Sequence, residues 1–179
     1  MTIVAVVASI LAVLLAVILV RMVRQPDTFR VQRTVPINAP PEKLYPLISN
    51  YHNWPAWSPY EGLDPEMKRK RSGAPAGKGA IYEWEGNKNV GHGRMEILDE
   101  TPHSKIVIKL DFFSPFKANN IAEFTMLPAG AGATDVTWAM YGPSTLTSKL
   151  MRSIFNIDRM VGGQFEEGLM KMKAVAESR

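Results

Sequence analysis

The chain contains no cysteine, which excludes disulfides, thiolate metal sites and cysteine nucleophiles and leaves the redox compartment undecided. Histidine is scarce: His52, His92 and His103 stand far apart, and none is a strong general-base candidate. No His-x-x-x-His pair, acidic calcium loop or Gly-x-Ser-x-Gly elbow occurs, so the sequence announces neither a metal centre nor a hydrolytic nucleophile, and no cofactor is expected. Gly91-His92-Gly93 lacks the following helix that a dinucleotide site needs and reads as a hairpin turn. Positive charge is modest. The net charge of +4 includes Arg21 and Arg24 beside an apolar run, so the remainder carries only about +2 and no nucleic-acid partner is indicated. Internal repeats and low-complexity tracts are missing as well.

One long apolar run is present. From Ile3 to Val20 every residue except Ser9 is aliphatic, and eighteen residues at about 1.5 Å each give roughly 27 Å, close to the thickness of a bilayer's hydrocarbon core. Thirteen are Leu, Ile or Val, which at about −0.4 kcal/mol each favour insertion by roughly 5 kcal/mol. A cleaved signal peptide is the rival reading; against it, no Lys or Arg precedes the run and no small-x-small cleavage site follows. Arg21, Arg24, Arg30 and Arg33 all flank the C-terminal side, so the domain beyond is expected in the cytoplasm. The expected organisation is an anchor over residues 1–24, a linker over 25–28 and one domain over 29–179, the size that forms a single core.

Beyond Pro26, Phe29 to Ile37 alternates apolar and polar residues, the period of a strand with one buried face. Asn38-Ala39-Pro40-Pro41-Glu42 opens a short helix with Leu44, Leu47 and Ile48 inward and Pro46 limiting its length. Tyr51 to Pro59 holds aromatics between prolines and turn formers and reads as a structured loop, with Trp54, Trp57 and Tyr60 as candidate gates of a cavity or as a lid over a core. Met67 to Tyr141 reads as six short antiparallel strands. Tyr82, Trp84, Met95, Ile97, Ile106, Ile108, Leu110, Phe112, Ala122, Phe124, Met126, Val136, Trp138 and Met140 share one face; Glu83, Glu85, Arg94, Glu96, Lys109, Asp111, Glu123 and Asp135 fall on the other, wet face. That placement leaves Glu83, Glu85 and Glu96 without an acid–base role. Lys68-Arg69-Lys70-Arg71 suits either anionic headgroups or a solvated edge strand protected by its charge. Val161, Phe165, Leu169, Met172 and Ala176 then recur at helical spacing, and Gly162, Gly163 and Gly168 within that helix imply close approach or a bend.

Several local patterns carry a resemblance: Ile37-x-Ala39-Pro40-x-Glu42, Trp54-x-x-Trp57-Ser58-Pro59, Gly79-Ala80-x-Tyr82-x-Trp84-x-Gly86-Asn87, Gly91-x-Gly93-x-Met95 and Phe165-Glu166-x-Gly168-Leu169. With the order of elements, they resemble the SRPBCC or START-like superfamily over roughly Phe29 to Glu177, in particular its bacterial polyketide cyclase and lipid transport branch. The resemblance implies an α+β helix-grip fold, a curved antiparallel sheet wrapped around a long C-terminal helix, with an apolar cavity between them. The ligand-binding set it implies is Trp57, Tyr82, Trp84, Met95, Phe112, Phe124, Met126, Trp138, Met140, Phe165 and Leu169; each of these also reads as plain core. The expected function is a single-pass domain at a bacterial-type inner membrane that binds a small hydrophobic, lipid-like or polyketide-like ligand. A cyclase or dehydratase using Tyr82, Asn87 or Tyr141 to orient substrate is the alternative, and a co-chaperone-like interaction domain is a third. The lack of a recognisable acid–base pair counts against the enzyme.

Overall fold

The computed structural model describes residues 2–130 and 132–178. It begins with a helix, α1 (Thr2–Arg24), whose apolar side chains are exposed along its length. Strand β1 (Thr28–Ile37) follows, then α2 (Pro41–Ser49) and two 3-10 turns over Trp54–Ala56 and Pro59–Gly62. Six strands form the meander expected from the alternation: β2 (Lys68–Gly73), β3 (Ala80–Glu85), β4 (His92–Thr101), β5 (Lys105–Ser114), β6 (Ala118–Pro128) and β7 (Thr134–Pro143). Helices α3 (Leu146–Ile154) and α4 (Ile157–Glu177) complete the chain.

All seven strands make one antiparallel sheet in the order β1-β7-β6-β5-β4-β3-β2. From β2 to β7 consecutive strands pair because short turns join them, and β1 closes on β7 with Val31 opposite Met140 and Val35 opposite Val136. Ile97, Ile106, Ile108, Phe124, Met126 and Val136 are almost wholly buried on the inner face. Helix α4 lies across that face through Phe165, Leu169, Met172 and Ala176, spaced three and four apart as a helix stripe requires. Its start is capped by Asn156, whose Oδ1 accepts from the Arg159 backbone N–H at 3.0 Å. Gly168 lets it close down: a Cβ there would stand 2.8 Å from Pro59 and 2.9 Å from Trp138. Gly162 sits against the Arg33 guanidinium, whereas Gly163, also expected at a close approach, faces open space.

The aromatic loop is tied down by its own indoles. Trp54 Nε1 donates to the Ile48 carbonyl at 2.9 Å and Trp57 Nε1 to the Leu47 carbonyl at 2.8 Å, so the loop is fastened to the last turn of α2. The basic tetrad occupies β2, the sheet edge, and pairs internally. Lys68 meets Glu85, Lys70 meets Glu83, Arg69 meets Glu61, and Arg71 lies over the Tyr82 ring.

Two expectations need correction. The helical tail is two helices broken at Phe155 and Asn156; α3 escapes the reading because none of its residues is buried, so it leaves no inward stripe to detect. Asp111, placed on the wet face, is only 5% exposed, because Asn119 Nδ2 donates to it at 2.7 Å and Lys109 pairs with it at 2.9 Å.

Candidate ligand cavity

A cavity of about 240 Å³ lies between the inner face of the sheet and the first turns of α4. Tyr82 and Trp84 of β3, Met95 of β4, Phe112 of β5 and Trp138 and Met140 of β7 form its floor, and Phe165 of α4 its roof. These seven are sequence-predicted site residues. Leu110 and Ala122 complete the floor, Val161 extends the roof, and Trp54, Ser58, Tyr60, Glu61, Met67, Asn89 and Val90 close the side nearest the aromatic loop and the β3–β4 hairpin.

Trp57, Phe124, Met126 and Leu169 do not border this space. Each is fully buried, in the solid part of the core. Phe124 and Met126 share Ala122's face of β6 but lie two and four residues further along it, where Phe124 packs on Trp54 and Trp57.

Gly93 sets the shape of the wall. A Cβ there would come within 2.4 Å of the Trp84 ring, so the missing side chain lets the indole lie flat over β4, where its Nε1 donates to the Val90 carbonyl at 3.0 Å. Trp138 is held on both faces, stacked on Phe124 at 5.0 Å and on Phe165 at 4.3 Å between ring centroids. Its buried Nε1–H finds no acceptor among the described residues.

The cavity has one strongly polar corner, which sequence reasoning missed. Tyr82 Oη donates to Glu61 Oε1 at 2.6 Å, and Arg69 Nε donates to Glu61 Oε2 at 2.6 Å. Burial, with Glu61 beside it, pushes the Tyr82 hydroxyl far above its ordinary range, so it remains a donor. The only signal in the sequence is a lone carboxylate ending an aromatic loop, eight residues ahead of an edge-strand arginine. Asn87 and Tyr141, named as substrate-orienting candidates, are not on the cavity wall: the Asn87 backbone N–H donates to Asp64 and the Tyr141 hydroxyl to Glu123.

Among the described residues, no group of three or more His, Asp or Glu side chains is placed to hold a metal ion. A larger hollow of about 620 Å³ lies where the end of α1 meets β1 and the α3–α4 joint, but it is an open groove edged by Arg21, Arg30, Arg152 and Asp158. The smaller space is the more enclosed and apolar of the two, which is the character of a small-molecule site.

No curated protein matches the chain in sequence. Solved structures match its fold. Protein CV1439 from Chromobacterium violaceum is 18% identical with a TM-score of 0.57, over 87% of this chain and 100% of that one. The di-domain ARO/CYC BexL from the BE-7585A biosynthetic pathway is 13% identical with a TM-score of 0.62, over 90% of this chain and 54% of that one. The Aha1 dimer from Colwellia psychrerythraea is 12% identical with a TM-score of 0.57, over 83% and 96%. At such identities they show the helix-grip fold alone. A family model matches residues 28–177, from the first strand to the end of the last helix, and by that match the chain belongs to the polyketide cyclase/dehydrase and lipid transport family.

Proposed function

We propose that this chain is a membrane-tethered domain that binds a small hydrophobic or amphipathic ligand in the space between its sheet and α4. The observation that carries the reading is the enclosure of about 240 Å³ by aromatic and methionine side chains. A solid core would leave no such space, because interiors ordinarily pack to crystal density. The set Tyr82, Trp84, Met95, Phe112, Trp138, Met140 and Phe165 would contact ligand, with methionine supplying a wall that adapts in shape. Trp57, Phe124, Met126 and Leu169 would support that wall from behind.

Tethering is supported by α1, an apolar helix long enough to cross a membrane, in the organisation of anchor (residues 1–24), linker (25–28) and domain. Where α1 ends, Gln25 Nε2 donates to the Lys149 carbonyl at 3.1 Å and to Ser153 Oγ at 2.8 Å on α3. Leu146, Leu150 and Ile154 of α3 form an exposed stripe at four-residue spacing, 77%, 38% and 55% exposed, on a helix that carries Lys149, paired with Asp27, and Arg152 and no acidic residue of its own. A basic amphipathic helix beside the exit of an anchor suits the bilayer interface. This placement leaves the ligand cavity free for uptake and handover of an apolar molecule.

Native mass spectrometry of the full chain, released gently from its own membrane, tests the binding reading. A bound small molecule, or saturable quenching of the emission of Trp84 and Trp138 by added apolar compounds, is the expected result. Release of the chain without ligand, together with no saturable quenching across fatty alcohols, isoprenoids and aromatic polyketides, would overturn it.

A further inference from the structure

Glu61 is the one charged side chain in the described lining of the proposed ligand space. This residue comes from the second 3-10 turn, and its side chain is only 8% exposed. Arg69 is engaged on the far side of it by all three nitrogens: besides the ion pair made by Nε, Nη2 donates to the Glu61 carbonyl at 3.0 Å and Nη1 to the Met67 carbonyl at 2.6 Å. The guanidinium edges an outer groove shared with Lys171 and does not border the cavity, whereas Glu61 borders both. The positive charge therefore lies behind the carboxylate as seen from inside. Tyr82 gives its one hydroxyl hydrogen to Glu61 Oε1, which leaves only lone pairs on its oxygen. A carboxylate accepts at about four lone-pair positions, and the Tyr82 and Arg69 hydrogens occupy two of them.

The ionic corner thus presents acceptors and no free donor. Ser58, Tyr60 and Asn89, the other polar side chains on the wall, carry both donor and acceptor capacity and set no preference of sign. The indole N–H of Trp138 is uncharged and cannot reverse one. A ligand carboxylate would bring acceptor against acceptor and like charge against like where little water is available to screen it. A hydroxyl or ammonium would complete the network.

We infer that the cavity selects its ligand by a hydrogen-bond donor, an aliphatic or phenolic hydroxyl or an ammonium received by Glu61, and rejects carboxylates of the same shape. This rests on the ligand-binding reading above. Size narrows the class further. At about 240 Å³ the space falls below the roughly 300–1,000 Å³ of sites for drug-sized molecules. It suits one medium alkyl chain or a small ring system and excludes a diacyl lipid held whole.

The probes are octan-1-ol, octylamine and octanoate, matched in chain length. They are titrated into the full chain in zwitterionic nanodiscs carrying ¹³C-methyl methionine. Met95 and Met140 line the space and report occupancy against free aqueous concentration, after partition into protein-free discs is subtracted. Octan-1-ol and octylamine should shift both methyls saturably, with octanoate weaker by about tenfold or more. Glu61→Gln should close or reverse that gap, because it frees the Arg69 charge. Tyr82→Phe, which keeps the carboxylate, should preserve it. If the wild-type chain binds octanoate as well as octan-1-ol, the donor rule is overturned and the cavity stands. If none of the three shifts either methyl, both fall. The wild-type panel decides the matter even if Glu61→Gln does not fold.

Discussion

Trp138 and Phe165 lie face to face, ring centroids 4.3 Å apart and planes 12° apart, so that one aromatic contact joins the last strand to the last helix at the roof of the cavity. Removing the upper ring should therefore weaken the grip and open the space together. Phe165→Ala is expected to cost about 3–5 kcal/mol, read as a lower urea midpoint with unchanged slope. A cost under about 1 kcal/mol would mean that α4 is held elsewhere.

The glycines of α4 make a sharper pair. Gly168→Ala gains up to about 1 kcal/mol of helix propensity, but its Cβ would press on Pro59 and Trp138, both packed and unable to retreat. Overpacking of about 1–3 kcal/mol should win. Gly163→Ala meets nothing within 4 Å and should raise stability by several tenths to about 1 kcal/mol. Thermal unfolding of the two variants should move in opposite directions.

The strands and their faces were legible because a half-buried strand must alternate, and Tyr82, Trp84, Met95, Phe124 and Trp138 all keep to the inner face. Alternation gives the face of a residue but not its depth. Ala122 and Met126 are indistinguishable by period, yet one borders the cavity and the other lies in the solid core beyond it. Helix α3 was illegible for the opposite reason: Leu146, Leu150 and Ile154 form a stripe facing outward, where no core records it. Glu61 could not be found by spacing, since a turn brings it to Arg69 and Tyr82.

Acid should loosen the outer face of the sheet. Burial by itself raises the Glu123 carboxyl, but Lys105 at 3.1 Å, Tyr141 and Arg30 together hold it below the usual carboxylate range. Burial likewise raises Asp111, and Lys109 with Asn119 more than reverses that. A carboxyl whose folded value is depressed stabilises fully above its unfolded value, near pH 4, and loses that contribution as pH falls through the folded value. Unfolding free energy from urea should thus be level down to about pH 5 and fall below it. Glu123→Gln should start lower at neutral pH and show a shallower acid decline. An unchanged acid slope would remove Glu123 from the account.

The absence of native cysteine makes the membrane reading testable with single labels. An environment-sensitive fluorophore at Leu146→Cys, Leu150→Cys or Ile154→Cys should emit in the blue and be quenched by lipids spin-labelled at shallow depth, if α3 rests in the interface. The same label at Glu167→Cys, on the exposed side of α4, should behave as in water. Aqueous emission at all three α3 positions would detach that helix from the bilayer.

The cavity itself is best tested by filling it. Ala122 is 4% exposed, borders the space, and lies opposite Ile108 on one side and Met140 on the other. A phenyl group entering from this point has two possible fates. Where the space is real, Ala122→Phe should occupy it, leave the urea midpoint close to that of the wild type and weaken binding of apolar probes. Were the region solid, the same ring would force neighbours off their rotamers and cost about 1–3 kcal/mol, with no binding to lose. Stability and affinity therefore move in opposite senses under the two alternatives, and measuring both on one variant separates them. A strongly destabilised Ala122→Phe chain beside a wild type that binds no probe would leave a scaffold or interaction domain as the better account of this fold.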